Sequence, residues 1–280
     1  MLRPALAAAA LLVTAQAALA QQRPLVTEDP ESVGAGRLLI ESGVDVLHGQ
    51  RYPVSGLEGN LLRLPTLGVS IGISSIAELQ IDGGLYDRLS ITTRETAPLS
   101  SLLTVSGAQT HDVSDIVVGT KVRMVGESSG HPSFAIRFAT KLPNASNEAG
   151  LGLDTTDFHA SLLAAKNIQS LRVVANGGFA ILGDPTSGNR QNDVLTYGLS
   201  MARAVTDRAE IVGELNGRIN TRDSGAFPGT ESRSALRVGG RFTTGTLRLD
   251  AGAIVGLNNE GPTIGMTAGL TWVFEAFKVP

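Results

Sequence analysis

Two carboxylate pairs, Glu41/Asp45 and Glu78/Asp82, each have the partners four residues apart, and paired carboxylates are the usual equipment for general acid and base work. Four residues along a strand at about 3.3 Å each separates them by roughly 13 Å, wider than the ~5 to 9.5 Å used by glycosidases. That spacing disfavours a dyad within one strand, while pairing across to another strand stays open. His159 and Ser161 supply the side-chain types of a hydrolase base and nucleophile, but same-face neighbours on a strand splay by about 7 Å. The remaining histidines, His48, His111 and His131, do not complete the close His/Glu spacing of a zinc-protease helix. Gly150-Leu151-Gly152-Leu153-Asp154 and Gly183-Asp184-Pro185-Thr186-Ser187-Gly188 lack the lysine of a phosphate-binding loop and open no helix, so they read as loop tips. Asp184, Asn189 and Asp193 miss the calcium-loop spacing. Neither a catalytic centre nor a metal or cofactor site is expected, and the chain reads as a non-enzyme.

The charged residues make more sense on the elements that carry them. Period-two alternation is the dominant signal: Leu67, Val69, Ile71 and Ile73 share one face against Thr66, Gly68, Ser70, Gly72 and Ser74. No amphipathic helix gives that pattern. The same rule finds segments beginning near Arg37, Thr66, Ile76, Val113, Ser133, Thr156, Ser170, Val194, Arg208, Ser234, Thr246 and Thr263, about twelve strands. One face is apolar, as in Phe134, Ile136 and Phe138, or Leu270, Trp272 and Phe274. The other carries Glu41, Asp45, Glu78, Asp82, Lys121, Arg123, Arg137, Lys141, Asp157, His159, Arg172, Glu210, Glu214, Arg218, Arg237, Arg241, Arg248 and Asp250. Charged side chains gathered on one face either filter solutes inside a pore or pair with one another to brace the wall. Both readings stay open here, and Glu41, Asp45, Glu78, Asp82, Lys121, Arg123, Arg137, Lys141, Arg172, Glu210, Glu214, Arg237, Arg241 and Arg248 are the candidates for setting selectivity.

The start of the chain indicates the compartment. Arg3, the apolar run Ala5 to Ala15 and Ala18-Leu19-Ala20 before Gln21 make a secretory signal peptide over residues 1–20, cleaved after Ala20. No later apolar run approaches the ~18 residues of a spanning helix, whereas a closed barrel needs only alternate residues to be apolar. Short turns at Ser74-Ser75, Asn167, Thr206-Asp207 and Thr244-Gly245 alternate with longer loops over 94–112, 143–154, 183–193 and 220–233. That asymmetry is the habit of outer-membrane barrels, although 126–132 is a longer connection on the short-turn side. A two-sheet sandwich would alternate too, and an aromatic content of 4% is low for interfacial girdles. Export, strand number and loop asymmetry favour an all-β, up-and-down transmembrane barrel over residues 37–280, preceded by a short periplasmic or lumenal segment at 21–36. Net charge is only -3, so no nucleic acid is implicated; the absence of cysteine excludes disulfides and thiolate metal sites. The expected partners are the lipid bilayer, small solutes and the outer-membrane assembly machinery.

Several stretches point further: Arg23-Pro24-Leu25-Val26-Thr27-Glu28-Asp29-Pro30, Leu62-Arg63-Leu64-Pro65-Thr66-Leu67-Gly68, Ala77-Glu78-Leu79-Gln80, Val118-Gly119-Thr120-Lys121, Phe138-Ala139-Thr140-Lys141-Leu142-Pro143-Asn144 and Asp193-Val194-Leu195-Thr196-Tyr197-Gly198. Together they resemble the outer-membrane barrel family associated with the meta-cleavage pathway of phenol degradation, over nearly the whole mature chain. The resemblance implies a transporter-type barrel in the bacterial outer membrane for aromatic or other small hydrophobic compounds. One departure concerns the assembly signal: many such barrels finish on an aromatic residue, whereas here Phe277 is followed by Lys278-Val279-Pro280. The competing expectation is a non-transporting structural or adhesion barrel whose long loops bind a partner.

Overall fold

A computed structural model describes residues 22–222 and 227–278; the expected signal peptide and its cleavage point lie outside the described residues. The strands are β1 (Arg37–Tyr52), β2 (Leu57–Gly72), β3 (Ala77–Gly84), β4 (Asp87–Arg94), β5 (Gln109–Asp112), β6 (Ile116–Val125), β7 (Ser133–Leu142), β8 (Asp157–Ile168), β9 (Leu171–Gly183), β10 (Gln191–Ala204), β11 (Ala209–Asn220), β12 (Arg233–Thr244), β13 (Leu247–Gly256) and β14 (Ile264–Glu275). Every pairing is antiparallel, and β1 bonds to both β2 and β14, which closes the sheet into a ring. Closure leaves no strand edge, the condition for backbone to cross a bilayer.

The ring has twelve staves, because β3 with β4 and β5 with β6 are successive halves of single staves. The second part of β2 pairs with β3 and the first part with β4. The break is a bend shared by three neighbours: the Leu64 amide donates to the Tyr86 carbonyl (2.9 Å), the Leu85 amide to the Pro65 carbonyl (3.2 Å) and the Ser114 amide to the Gly84 carbonyl (3.0 Å). Pro65, which has no N–H to give the ladder, sits where the register shifts, the place a sheet tolerates proline. Alternation changes phase there, so the expected start of the second strand near Thr66 moves back to Leu57. The expected loop 94–112 likewise yields its last residues to β5.

Turns 73–76, 126–132, 169–170, 205–208 and 245–246 lie at the end where β1 begins and β14 finishes, and by the rule for these barrels that end is periplasmic. The opposite end carries the connections 53–56, 95–108, 143–156, 184–190 and 257–263, and β11 ends and β12 begins there. Outward positions are apolar and bare, as at Phe138, Phe158, Leu162, Phe179, Ile211, Val238, Met266 and Trp272. An uninterrupted exposed apolar belt on a closed barrel has lipid as its solvent. Trp272 stacks against Phe274 with ring centroids 4.3 Å apart.

Candidate functional site: a charged lumen filled by the N-terminal segment

Residues 22–36, which precede the first strand, run inside the barrel in its periplasmic half. The Glu41 carboxylate on β1 accepts from the amides of Gln22 and Arg23 (both 3.3 Å) and from the Thr271 hydroxyl (3.1 Å). The Arg23 guanidinium lies against the wall formed by β2, β1, β14 and β13: it donates to the hydroxyls of Thr66 (3.0 Å) and Thr267 (2.8 Å) and to the Ala268 carbonyl (3.0 Å), and lies 3.5 Å from Asp250. From β12, Arg241 donates to the carbonyls of Arg23 (2.7 Å) and Gln22 (2.6 Å) and stands 3.7 Å from Glu210. Arg237, beside it, reaches the Pro24 carbonyl at 3.5 Å and Glu214 at 3.6 Å. Glu214 in turn accepts from the Val26 (2.9 Å) and Thr27 (2.5 Å) amides.

The segment's own acids meet the basic residues of β6, β7 and β9. Lys121, with no exposed side-chain surface, is 3.0 Å from Glu78 and 3.2 Å from Glu28, and donates to the Asp29 carbonyl at 2.8 Å. Arg137 bonds Gln80 at 2.7 Å and lies 3.3 Å from Glu28 and 3.7 Å from Asp82. Arg172 grips Asp29 with both arms of its fork, its Nη2 at 2.6 Å, the bidentate geometry that suits a guanidinium. Arg123 pairs with Glu31, and Glu78 accepts from the Val33 amide at 2.7 Å. The Asn176 amide, oriented to satisfy its neighbours, accepts from the Glu28 N–H (2.7 Å) and donates to the Glu28 carbonyl (2.9 Å). Glu28 belongs to the segment rather than a strand. Burial alone would push its carboxyl up, but Lys121 and Arg137 outweigh it and hold the group below the ordinary carboxylate value.

Inward glycines leave room on the wall for the segment's side chains. A Cβ on Gly43 would fall 2.2 Å from the Arg23 guanidinium, and one on Gly239 would meet Pro24 at 3.0 Å and the Ala251 carbonyl at 2.4 Å. The lumen is therefore shaped to the segment as well as charged for it.

Above this layer lie two cavities. The lower, ≈ 380 Å³, has Val26, Thr27 and Glu28 among its walls together with Arg137, His159 and Ser161; the upper, ≈ 440 Å³, is bounded by Tyr52, Arg63, Asp87, Lys141 and Asp157. Arg218 and Arg233 line both. The mouth is narrowed from one side by an apolar cluster of Leu47, Leu57, Leu61, Leu89 and Ile254, against which Leu103 and Leu151 pack from two loops. Further loop ties run from the Ser55 hydroxyl to the Gly150 carbonyl (2.8 Å) and from the Thr110 hydroxyl to the Ala149 carbonyl (2.8 Å).

Of the selectivity candidates, Glu41, Glu78, Asp82, Lys121, Arg123, Arg137, Arg172, Glu214, Arg237 and Arg241 touch the segment or the partners that hold it. Lys141 stands apart, 3.2 Å from Asp115 and 3.0 Å from Asp157. Glu210 reaches the layer through Arg241, Arg248 donates to the Thr243 hydroxyl at 3.3 Å, and Asp45 sits opposite Arg63 in register. Sequence reasoning missed the segment's acids, which have no periodicity to read. It also missed Arg63 and Asp87, paired at 3.1 Å, because the bend changes their parity, although Leu64-Pro65 in mid-strand was a signal of that break.

Among solved structures, the COG4313 outer membrane channel from Pseudomonas putida F1 matches with a TM-score of 0.63 at 14% identity, over 88% of this chain and 98% of that one. The translocator domain of the autotransporter NalP from Neisseria meningitidis matches with a TM-score of 0.50 at 12% identity, over 86% and 89%. These likenesses show the fold, a bacterial outer-membrane barrel. No curated protein sequence matches the chain. The profile of one family covers residues 22–274, from the first residue of the lumenal segment to the last stave, and the chain thus belongs to the family described as "Putative MetA-pathway of phenol degradation".

Proposed function

We propose that the protein is an outer-membrane channel for small solutes, aromatic and other compact apolar compounds among them, and that it carries out no catalytic step. The observation that carries this reading is the pair of adjoining cavities on the lumen side of the wall, between the loop-narrowed mouth and the N-terminal layer. At ≈ 440 and ≈ 380 Å³ each has the size of a small-molecule site. The structural neighbour from Pseudomonas putida F1, an outer membrane channel, and the family's association with phenol degradation support the same reading. A solute descending from the cavities meets the layer at residues 22–33, so the segment shifts during passage. The charges named above then act in two ways: they hold the segment in its resting place and, once it shifts, they line the path.

Permeation into liposomes by the refolded protein, with sugars, amino acids, carboxylates and small phenols of graded size, tests the proposal. Uptake with a size cutoff supports a channel. Absence of uptake of every solute by protein shown to be folded would favour a closed structural or adhesion barrel instead.

A further inference from the structure

Arg218 and Arg233 stand out among the cations that border the two cavities. They are direct cross-strand partners on β11 and β12, and like charges placed opposite one another disfavour the pairing. Arg63, Lys121, Arg123, Arg137, Lys141, Arg172, Arg237 and Arg241 each have a carboxylate within 4.0 Å. Among the described residues none lies that close to Arg218, Arg233 or Arg248, and Arg248, which donates to the Thr243 hydroxyl, lines neither cavity. Arg218 is steadied instead by two backbone carbonyls, donating to Glu231 at 2.8 Å and Gly229 at 2.6 Å, which fixes the guanidinium without neutralising it. Arg233 is exposed within the lumen.

The surroundings define the charge that is missing. In the lower cavity three cations, Arg137, Arg218 and Arg233, face the single carboxylate of Glu28, and that carboxylate is already engaged by Lys121 and Arg137. Asp87, Asp115, Asp157, Glu231 and Glu260 face the upper cavity, with Asp87 committed to Arg63 and Asp115 and Asp157 to Lys141. The two guanidinium groups without a carboxylate partner thus line both cavities, and of the two cavities the lower has the excess of cations among its described lining residues. The lower cavity also offers apolar wall at Leu163, Ala180, Leu182 and Val26.

We infer that Arg218 and Arg233 form a binding site for the carboxylate of a small apolar acid, the acid group held between the two guanidinium groups and its hydrocarbon body lying in the lower cavity. Arginine suits this because its planar fork matches a carboxylate bidentately. The inference rests on the channel reading and narrows its solute class to acids with a compact apolar body.

Two probes of like size separate the issues: benzoate, and neutral benzyl alcohol. Calorimetry on the refolded full chain in detergent reads binding, and flux into liposomes reads passage. Benzoate is expected to bind wild type more tightly than benzyl alcohol, and R218Q or R233Q to weaken benzoate by roughly tenfold or more, the scale of a charge-assisted hydrogen bond. Benzyl alcohol flux should stay within about twofold in the same variants. R218K and R233K, which keep the charge and lose the fork, should weaken benzoate by less, and they carry the test should the Gln variants fail to fold. Benzoate affinity unchanged in R218Q/R233Q, or no better than that of benzyl alcohol in wild type, would overturn the site. Flux of both probes with no dependence on the arginines sinks the site and leaves the channel; arginine-dependent benzoate binding without flux of either probe sinks the channel and leaves the site.

Discussion

Lys121 shows what a buried charge does in this lumen. Its ammonium is enclosed by Glu78, Glu28 and the Asp29 carbonyl, so one residue ties two staves to the N-terminal segment. Removing one partner of a buried ion pair leaves the other charge uncompensated, at a cost of about 3–5 kcal/mol. K121M is therefore expected to lower the temperature at which the compact band of unheated protein converts to the unfolded band on a gel. An unchanged conversion temperature would mean that water replaces the ammonium at no cost. The same site gives a pH dependence through Glu28, whose carboxyl lies below the ordinary value in the folded state because Lys121 and Arg137 outweigh burial. A depressed carboxylate contributes stability that is complete above the ordinary pKa and lost as pH falls through the folded one. Hydrogen exchange of the amides of residues 25–33, corrected for intrinsic rate, should accordingly be flat near neutrality and rise only in acid. Acceleration between neutrality and weakly alkaline pH would contradict that sign.

At the scale of the element, the proposed channel makes the N-terminal segment the part that passage must displace. Thr27 passes Gly198 on β10 so closely that a Cβ there would lie 3.4 Å from the Thr27 Cβ, near the short limit of about 3.5 Å for a disulfide. The chain has no cysteine, so T27C/G198C creates a single possible bridge. Oxidation of that variant is expected to reduce solute flux several-fold and reduction to restore it, if the segment must move; equal flux in both redox states would mean that solutes pass beside it. The staves themselves were legible in the sequence, because each carries an unbroken stretch of period-two alternation and every expected segment has a counterpart in the ring. The segment's place was not, and 21–36 could be read only as periplasmic or lumenal. Its contacts join residues such as Arg23 and Thr267, 244 positions apart, and no local pattern encodes a pairing at that distance. The lumenal charges were legible as a face but not as partners, since parity says which side a residue occupies and nothing about what stands opposite. Arg63 and Asp87 were lost for the complementary reason: the bend at Leu64-Pro65 and Leu85-Tyr86 resets parity within a stave.

For the whole molecule, the arrangement separates two jobs that one ring of staves must do. The outward belt of bare apolar side chains satisfies the bilayer, while the inward charges would be costly if the lumen were dry and unpaired. The N-terminal layer resolves this by supplying Arg23, Glu28, Asp29 and Glu31 as counter-charges, so much of the lumen is closed by chain rather than by wall. Deleting residues 22–33 from the mature chain leaves the outward face and the ladder untouched. The freed lumenal charges then gain water as their partner, which a twelve-stave ring has room to admit once the filling chain is gone. The deletion variant is expected to fold, to melt at a lower temperature than wild type, and to raise single-channel conductance by at least about twofold. A folded deletion variant with wild-type conductance would place the constriction at the mouth, where Leu103 and Leu151 lie over the apolar cluster. In that case the loops, not the segment, would set the rate of passage, and shortening loop 143–156 in the same variant should then raise conductance where the deletion alone did not.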